Sequence, residues 1–502
     1  AQYYWGISAK DLSVAQSALL AGLVQSPNTY DPTTHPDLAR ERRDVVLGTM
    51  LRDGKISQQE YDEAIASPIK LNVHPPEKGC SVAGESSFFC NYVVNYVALD
   101  ESFGATPEER LNLLNRGGFK LVSTLNPEAQ KIAKQSVEAV QPGSTNTNNV
   151  NAALTSVEPG SGRVVAMAQN AEWGKPKDAN DHSQTQFNFN VDSLYGGTPG
   201  FQPGSTFKPV VLCQWNNSGR GVNAQIDGTA LSYPSNFGWN ARCVEGGKYY
   251  YRDSANGWSF KNAVQGYQSW GTVAYGIRVS ANSYLYSMVS KLDLCDISDM
   301  ANKLHLHDGL GQQLYDPGLL SANIGGTRYG ATPLTMASAY ATFASEGKYC
   351  EPRPLEKITK SDGSPMKTYE SKCEQAISPD IANGVSYVLK GVLAPGGSAP
   401  KRAIGLPDAS AAKTGTNDNS SQTWMVGYTR GLATASWVGS NDLGYRSMNG
   451  IAINGRVLEY VDGATYAGAQ WQQFMQAMAP KYNTEKFTEP PASVTSTNVN
   501  GN

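Results

Sequence analysis

The first part of the chain carries apolar residues at helical spacing. After Asp11-Leu12-Ser13, the run VAQSALLAGLVQ repeats apolar positions every three or four residues, which predicts a helix. Ser26-Pro27-Asn28 interrupts this run, and a second helix is predicted over residues 36–53. A third is predicted after Ser57, because Glu60 three residues later completes a capping-box pattern. Residues 1–70 are therefore predicted to be helical.

Beyond residue 150 the pattern becomes typical of strands. NAALTSVEP and GRVVAMAQN flank Pro159-Gly160-Ser161-Gly162, which predicts a β-hairpin. Within residues 408–440, SAAKTGT, TWMVGYT and LATASWVGS predict three antiparallel strands separated by turns. A helix is predicted over residues 332–347, which begin with Thr-Pro and end with Gly. The predicted fold class is α+β, an antiparallel sheet flanked by helices.

One segment between these strands combines a nucleophile with a base. Residues 200–212 read GFQPGSTFKPVVL, so Ser205 and Lys208 form an S-x-x-K motif after a Pro-Gly pair. Residues at positions i and i+3 share one face of a helix, and serine is favoured at a helix start. A hydroxyl beside an amine is the arrangement of an activated serine. Taken alone the motif is weak evidence, since most such spacings are solvated helix faces.

Two further short motifs follow in order. Ser280-Ala281-Asn282 stands at the head of an apolar helical run, and Lys413-Thr414-Gly415-Thr416 stands in a predicted strand. The first has an ordinary interpretation as a helix cap. The second is not a phosphate-binding loop, because the G-x-x-x-x-G frame before it is missing. S-x-x-K, S-x-N and K-T-G in this order are the signature of penicillin-binding proteins and serine β-lactamases.

Charge and histidine content exclude several other classes. The net charge is −3, with 17% charged residues, so the sequence contains no electrostatic indication of a nucleic-acid partner. The sequence has no run of 18 apolar residues, the length that a membrane-spanning helix needs. No cofactor or metal site is predicted, since the five histidines lack the neighbouring ligands of a metal motif. None stands out as the base of a Ser-His-Asp triad. Because the sequence begins without Met, we interpret it as a fragment or processed product.

Seven cysteines suggest an exported protein, and none forms a C-x-x-C pair. Cys80 and Cys90 bracket a short loop, and Cys350 and Cys373 bracket two predicted strands joined at Asp362-Gly363. The hypothesis is therefore three disulfides and one free, buried thiol, with the assignment Cys80–Cys90, Cys243–Cys295, Cys350–Cys373 and free Cys213.

Most of the chain resembles the class A penicillin-binding proteins, which are bifunctional peptidoglycan synthases. The segments FQPGSTFKP, VSANSY, YGATPLTMASAYATFASEG, AAKTGT and TWMVGYT resemble their transpeptidase domain, and GGTPGFQPGSTFKP is similar to actinobacterial forms. ALLAGLVQSPNTYDP, ARERRDVVLGTM and DGKISQQEYDEA resemble the C-terminal end of their glycosyltransferase domain. Nothing here matches that domain's glutamate-bearing motifs, so no glycosyltransferase activity is expected of this chain.

The resemblance implies four regions. Residues 1–72 correspond to C-terminal glycosyltransferase helices and 73–148 to an inter-domain linker or insert. The transpeptidase domain, of the penicillin-binding/serine β-lactamase-like fold with a helical subdomain, spans 149–479. Residues 480–502, rich in Thr, Pro and Asn, are predicted to be disordered. The parent protein is expected to be membrane-anchored and to act on the extracytoplasmic face of the cell membrane, with cell-wall synthesis proteins as possible partners.

The resemblance also implies roles for the motif residues. Ser205 is the expected nucleophile and Lys208 its base, with Lys413 nearby to help keep Lys208 neutral. Ser280 is expected to relay a proton to the leaving amine, and Asn282 to hold the substrate amide and the Lys208 amine.

The third motif is expected to bind the substrate carboxylate. Lys413 supplies positive potential there, and the hydroxyls of Thr414 and Thr416, on either side of Gly415, bind the carboxylate. The oxyanion hole is expected from the backbone N–H groups of Ser205 and Thr416. Trp424 on the next strand is a candidate for lining the cleft, with a place in the core as the alternative.

The implied reaction is DD-transpeptidation. A D-Ala-D-Ala stem peptide acylates the serine, an amine of a second peptide accepts the acyl group, and β-lactam antibiotics are inhibitors. A DD-carboxypeptidase, a serine β-lactamase and a non-catalytic penicillin-binding sensor or scaffold remain alternatives. Ala281 replaces the Asp usual in class A β-lactamases, and no E-x-x-x-N stretch between 282 and 413 suggests a deacylating glutamate. Both observations favour the transpeptidase over the β-lactamase.

Overall fold

A computed structural model describes residues 1–74, 79–440 and 446–501. It divides into two compact units, Ala1–Val82 and Ala83–Asn502. The domain limits expected from the sequence remain predictions. Among the described residues, no helix is both long and apolar enough to cross a membrane.

The first unit is helical, as predicted. Its α-helices are α1 (Gln2–Trp5), α2 (Val14–Leu23), α3 (Pro36–Arg52) and α4 (Gln58–Ala66). The capping box predicted at Ser57 and Glu60 is present, and Ser13 forms another with Gln16. These caps satisfy backbone N–H groups that a helix start leaves unpaired.

The second unit contains the remaining elements. Its α-helices are α5 (Ser87–Ala98), α6 (Pro107–Arg116), α7 (Pro127–Val140), α8 (Lys208–Asn217), α9 (Val273–Arg278), α10 (Asn282–Val289), α11 (Leu294–Lys303), α12 (Pro333–Ala344), α13 (Pro379–Leu393) and α14 (Tyr466–Met478). Its strands are β1 (Lys120–Ser123), β2 (Asn151–Glu158), β3 (Arg163–Gln169), β4 (Glu172–Trp173), β5 (Gln184–Thr185), β6 (Asn188–Asp192), β7 (Gly197–Thr198), β8 (Gln225–Asp227), β9 (Ser232–Tyr233), β10 (Trp239–Asn240), β11 (Lys248–Tyr249), β12 (Trp258–Ser259), β13 (Trp270–Thr272), β14 (Lys348–Cys350), β15 (Leu355–Thr359), β16 (Pro365–Thr368), β17 (Cys373–Gln375), β18 (Ala411–Thr416), β19 (Gln422–Thr429), β20 (Leu432–Gly439), β21 (Ala452–Ile453) and β22 (Arg456–Val457).

A five-stranded antiparallel sheet organises this unit. Its strand order is β18-β19-β20-β2-β3, so the predicted hairpin and the three predicted strands join in one sheet. Most of their residues are buried, which explains why these strands are apolar on both faces rather than alternating. Strand β18 lies at the edge, so among the described residues one side of its backbone has no strand partner in the sheet.

Helices cover the sheet and confirm the predicted α+β fold. Helices α7 and α14 pack against each other and on strands of the sheet, while α12 packs on β2, β19 and β20. Every residue of α12 is buried, and its apolar side chains other than Pro333 join the large core of the unit. Helix α13 packs on β18 and on α8, which links the sheet edge to the helical part that carries Ser205.

The C-terminal segment differs from the disorder predicted for residues 480–502. The backbone N–H groups of Gly221 and Val222 donate to the carbonyls of Asn498 and Val494, each at 2.8 Å. Phe487, which is buried, donates from its backbone to Asp408. Composition alone predicts disorder here because it does not register backbone hydrogen bonds to a preformed surface.

The cysteines agree with the disulfide hypothesis. Disulfides join Cys243 to Cys295 and Cys350 to Cys373. Cys80 and Cys90 are both disulfide-bonded, and Cys213 is a free thiol buried within α8.

Candidate active site

Ser205 lies at the start of the helix that carries Lys208. A 3₁₀ turn spans Gly204–Phe207, and α8 begins at Lys208 itself. In a 3₁₀ turn the side chains at i and i+3 eclipse, so the serine and lysine lie on the same side, as the motif predicts. Gly204 has φ +53°, and a Cβ there would lie 2.8 Å from the carbonyl oxygen of Thr416. Glycine therefore permits this turn to approach the end of β18.

The Lys208 amine reaches the second motif. Its Nζ donates to the Ser280 carbonyl at 2.6 Å and to Asn282 Oδ1 at 2.7 Å, and it lies 3.3 Å from Ser280 Oγ. Its hydrogen bonds among the described residues do not include one to Ser205 Oγ. The predicted contact between Asn282 and the lysine is therefore present.

Asn282 also has a second partner that the sequence did not indicate. Its Nδ2 donates to the carbonyl of Lys261 at 2.7 Å. The side-chain amide is thus held from both ends, with the oxygen directed at Lys208. This orientation makes the lysine's acceptor a fixed part of the site.

Ser280 lies between the two lysines. It stands in the break between α9 and α10, with φ +61°, a backbone conformation that serine adopts only at a cost. Its Oγ accepts a hydrogen bond from Lys413 Nζ at 2.7 Å, and Lys413 Nζ also donates to the Thr414 carbonyl at 3.0 Å. The helical pattern of this region does not reveal the break, because the left-handed residue is a serine rather than a glycine.

Burial makes both lysines unusually acidic. Loss of solvation, with a further contribution from the charge of Lys413, lowers the pKa of Lys208 well below its ordinary value. Loss of solvation lowers the pKa of Lys413 to about 7. Both side chains are fully buried, and among the described residues neither forms a salt bridge. A lysine in such surroundings can lose its proton near neutral pH.

The third motif forms the opposite wall. Thr414 Oγ1 lies 3.2 Å from Ser398 Oγ, and Thr416 Oγ1 accepts a hydrogen bond from the Gly463 N–H at 3.0 Å. Gly415 permits β18 to pack closely against the segment before Ser205, since a Cβ on this glycine would lie 2.4 Å from the Pro203 carbonyl oxygen. Ser398 and Gly463 belong to no motif, so only the folded chain reveals them.

The two walls enclose a cavity of about 470 Å³. Its lining includes five of the predicted residues, namely Ser205, Ser280, Asn282, Thr414 and Thr416. Lys208, Lys413 and Gly415 are buried directly behind these residues and join them through the contacts given above. The volume falls within the usual range for small-molecule sites, roughly 300–1,000 Å³.

Trp424 does not line the cavity, which corrects that prediction. Its side chain is 0% exposed, and its indole N–H donates to the Gln202 carbonyl at 2.9 Å. The residue pairs with Gly415 across β18 and β19, and its indole reaches the segment before Ser205. Among the described residues, no group of three or more His, Cys, Asp or Glu is placed to bind a metal ion.

Comparison with known proteins identifies two domain families in this chain. Residues 243–458 match the penicillin-binding protein transpeptidase domain, and residues 1–51 match the transglycosylase family. The first match contains Ser280, Asn282 and strand β18 with Lys413, whereas Ser205 and Lys208 precede it.

Curated relatives extend the similarity over nearly the whole chain. The chain is 28% identical to penicillin-binding protein 1A of Mycolicibacterium smegmatis, over 88% of this chain and 51% of that protein. It is 27% identical to penicillin-binding protein 1A of Mycobacterium tuberculosis, over 97% of this chain and 54% of that protein. The chain therefore spans about half the length of these relatives.

Solved structures share the fold. The crystal structure of penicillin-binding protein 1A from Haemophilus influenzae superposes with a TM-score of 0.68 at 18% identity, covering 98% of this chain and 84% of that one. PonA1 of Mycobacterium tuberculosis, in complex with penicillin V, superposes with a TM-score of 0.59 at 23% identity, covering 80% and 96%.

The fold is that of the penicillin-binding protein transpeptidase domain, a class of serine acyltransferases and peptidases. Within that class, the matches to two domain families in this order are decisive. A transpeptidase domain that follows a transglycosylase segment makes this chain similar to the class A penicillin-binding proteins, among them the two penicillin-binding proteins 1A named above.

Proposed function

We propose that this chain catalyses DD-transpeptidation of peptidoglycan stem peptides through an acyl-enzyme on Ser205 and is a target of β-lactams. The observation that carries the proposal is the convergence of two buried lysines of lowered pKa on Ser280 Oγ, in the cavity that Ser205 lines. A neutral lysine beside a serine is a general base, and a charged lysine on the opposite wall attracts a carboxylate.

In the acylation step, Ser205 Oγ attacks the carbonyl carbon of the penultimate D-Ala and gives its proton to neutral Lys208. The negative charge on the carbonyl oxygen is stabilised by the N–H groups of Ser205 and Thr416. Collapse of this intermediate breaks the peptide bond, and the leaving D-Ala amine takes a proton that passes from Lys208 through Ser280. The amine of a second peptide then attacks the ester carbonyl and loses a proton to Lys208. The ester C–O bond breaks as the new amide forms, and Lys208 returns this proton to Ser205 Oγ.

The edge position of β18 supports a role in holding the substrate. An extended peptide can pair with its open side through main-chain hydrogen bonds, which leave the terminal carboxylate near Thr414 and Thr416. Positive potential from Lys413 behind the strand would strengthen binding of that carboxylate.

The test is covalent labelling with a fluorescent penicillin. The wild-type chain is expected to become labelled, and Ser205→Ala to remain unlabelled with an unchanged melting temperature. Ser287→Ala, a serine on α10 that does not line the cavity, is the matched control and should label as wild type. Equal labelling of Ser205→Ala and wild type would refute the nucleophile assignment.

Release and transfer assays separate the remaining alternatives. A carboxypeptidase would release D-Ala without forming cross-links, and a β-lactamase would turn over nitrocefin rapidly. A sensor or scaffold would form a stable acyl-enzyme but would not turn over peptides. Assay with glycan strands carrying pentapeptides, made by an added glycosyltransferase, should yield cross-linked product from wild type and none from Ser205→Ala.

We also propose that the longer parent protein polymerises glycan strands and acts at the extracytoplasmic face of a membrane, with cell-wall synthesis proteins as partners. Support comes from the transglycosylase match over residues 1–51 and from the family itself.

A further inference from the structure

The two N–H donors proposed for the oxyanion hole lie on different elements. Ser205 is in the 3₁₀ turn before α8, whereas Thr416 ends strand β18. Donors of this kind stabilise charge only when held within about 0.5 Å of the productive geometry. Some contact must therefore hold the turn against the strand.

Gln202, three residues before Ser205, makes three hydrogen bonds that hold the turn against the strand. Its backbone carbonyl accepts from the Trp424 indole at 2.9 Å, its Nε2 donates to the Thr327 carbonyl at 2.9 Å, and its Oε1 accepts from Asn417 Nδ2 at 3.4 Å. Asn417 directly follows Thr416, and Trp424 lies opposite Gly415 in the sheet. Gln202 therefore connects the nucleophile segment to the end of β18 and to β19.

The bond to the Thr327 carbonyl closes the arrangement from the other side. The loop that contains Thr327 also contains Gly325, whose carbonyl accepts from the Gly204 N–H at 3.3 Å. A Cβ on Gly325 would lie 2.1 Å from the Gly204 carbonyl oxygen, so this loop lies in close contact with the turn. The turn is consequently held between the loop and the strand, and Gln202 bonds to both.

We propose that Gln202 is a positioning residue for acyl transfer, which acts by setting the separation between the Ser205 and Thr416 N–H groups, and that Trp424 supports it. The inference rests on the proposed function. The burial of the Trp424 indole is then explained by its role as a hydrogen-bond donor to the segment that carries Ser205.

The experiment measures the acylation rate constant at saturating penicillin together with the fraction of active sites. Gln202→Met, which keeps the side-chain length but makes neither side-chain bond, should lower the rate constant about 10- to 100-fold, as expected for a misplacement of ångström size. The active fraction and the affinity of the initial complex should stay near those of wild type.

Two variants sharpen the result. Gln202→Glu keeps an acceptor for Asn417 and loses the donor to Thr327. Its acylation rate constant at saturating penicillin should therefore fall less than that of Gln202→Met. Gln59→Met, an exposed glutamine in α4, is the control and should acylate as wild type.

An unchanged rate constant in Gln202→Met would overturn the inference. So would a lowered active fraction with a normal rate per active site, because that pattern indicates a purely structural role. If the wild-type chain itself is not acylated, the proposed function fails instead, and the two failures are therefore distinguishable.

Discussion

The two walls of the cavity use lysine in different ways. On the helical wall, Lys208 donates to the carbonyl of Ser280 and the amide oxygen of Asn282, two neutral acceptors held by the surrounding backbone. On the strand wall, Lys413 bonds to a hydroxyl and to a carbonyl of its own strand. Both lysines are buried, which lowers the pKa of each, and the charge of Lys413 lowers the pKa of Lys208 further.

This difference shows how one residue type can serve two purposes. Desolvation weakens the hold of both lysines on their protons, and repulsion from Lys413 acts further on Lys208. The amine nearer the nucleophile is therefore favoured as the base, and the other remains available as the cation. The four predictions below test that division, from the largest expected change in acylation to the smallest.

Removing the base should have the largest effect. Lys208→Met is expected to slow acylation by a fluorescent penicillin by about 10²- to 10⁴-fold, the range for loss of a general base. Stopped-flow or quench measurement of the rate constant at saturation gives the result directly. A rate near wild type would assign the base elsewhere and remove the distinction between the walls.

Removing the cation should act mainly on binding. Lys413→Met is expected to weaken the apparent affinity for a carboxylate-bearing substrate by about 10- to 100-fold, as for loss of a charged hydrogen bond. It should also raise the pKa of Lys208, because the neighbouring charge is gone. Esterifying the substrate carboxylate provides the control, since wild type and variant should then bind the ester alike.

The pH profile should report both lysines. Acylation should rise with pH as Lys208 loses its proton, because only the neutral amine can accept the serine proton. It should fall again above pH 7, as Lys413, whose pKa is lowered to about 7, loses the charge that attracts the carboxylate. Lys413→Arg should remove the alkaline fall, because arginine does not titrate in this range.

If Lys413→Arg retained the same alkaline fall, that limb would belong to another group. The experiment uses kcat/KM for a small peptide or thioester substrate between pH 5 and 9. The expected changes are several-fold rather than orders of magnitude.

A change far from both walls should leave acylation alone. Cys350 and Cys373 join β14 to β17, and neither lines the cavity. Replacing both by serine is expected to lower the free energy of unfolding by about 2–4 kcal/mol, while the acylation rate per folded molecule stays unchanged. Denaturant unfolding and active-site titration measure the two quantities. A slower rate per active site would show that the site depends on more of the fold than the two walls.

Local patterns predicted the walls separately. Helix α12, the hairpin of β2 and β3, and strands β18 to β20 follow from apolar runs bounded by turn residues. The Cys350–Cys373 disulfide followed from the short segment that these cysteines bracket, and the motif order singled out Ser205, Ser280 and Lys413. The prediction of disorder for residues 480–502 was wrong. This segment is ordered by hydrogen bonds to residues far away in the chain, such as the bond from Val222 to Val494, more than 200 residues apart.

Trp424 shows the limit of prediction from local sequence pattern. An aromatic residue on the strand after K-T-G fits both a cleft and a core, because the sequence specifies its apolar character but not what covers it. The structure places it opposite Gly415 of β18, buried and bonded to Gln202.

By itself, the sequence determined the elements, the family resemblance and the identities of the reactive side chains, since these depend on residue type and short spacing. Only the tertiary structure decided that Ser280 Oγ lies between the two lysines, that their pKa values are lowered, and that Gln202 joins the nucleophile segment to the sheet edge. The physical reason is that desolvation and hydrogen-bond geometry depend on atoms from distant segments, which are brought together only when the chain folds.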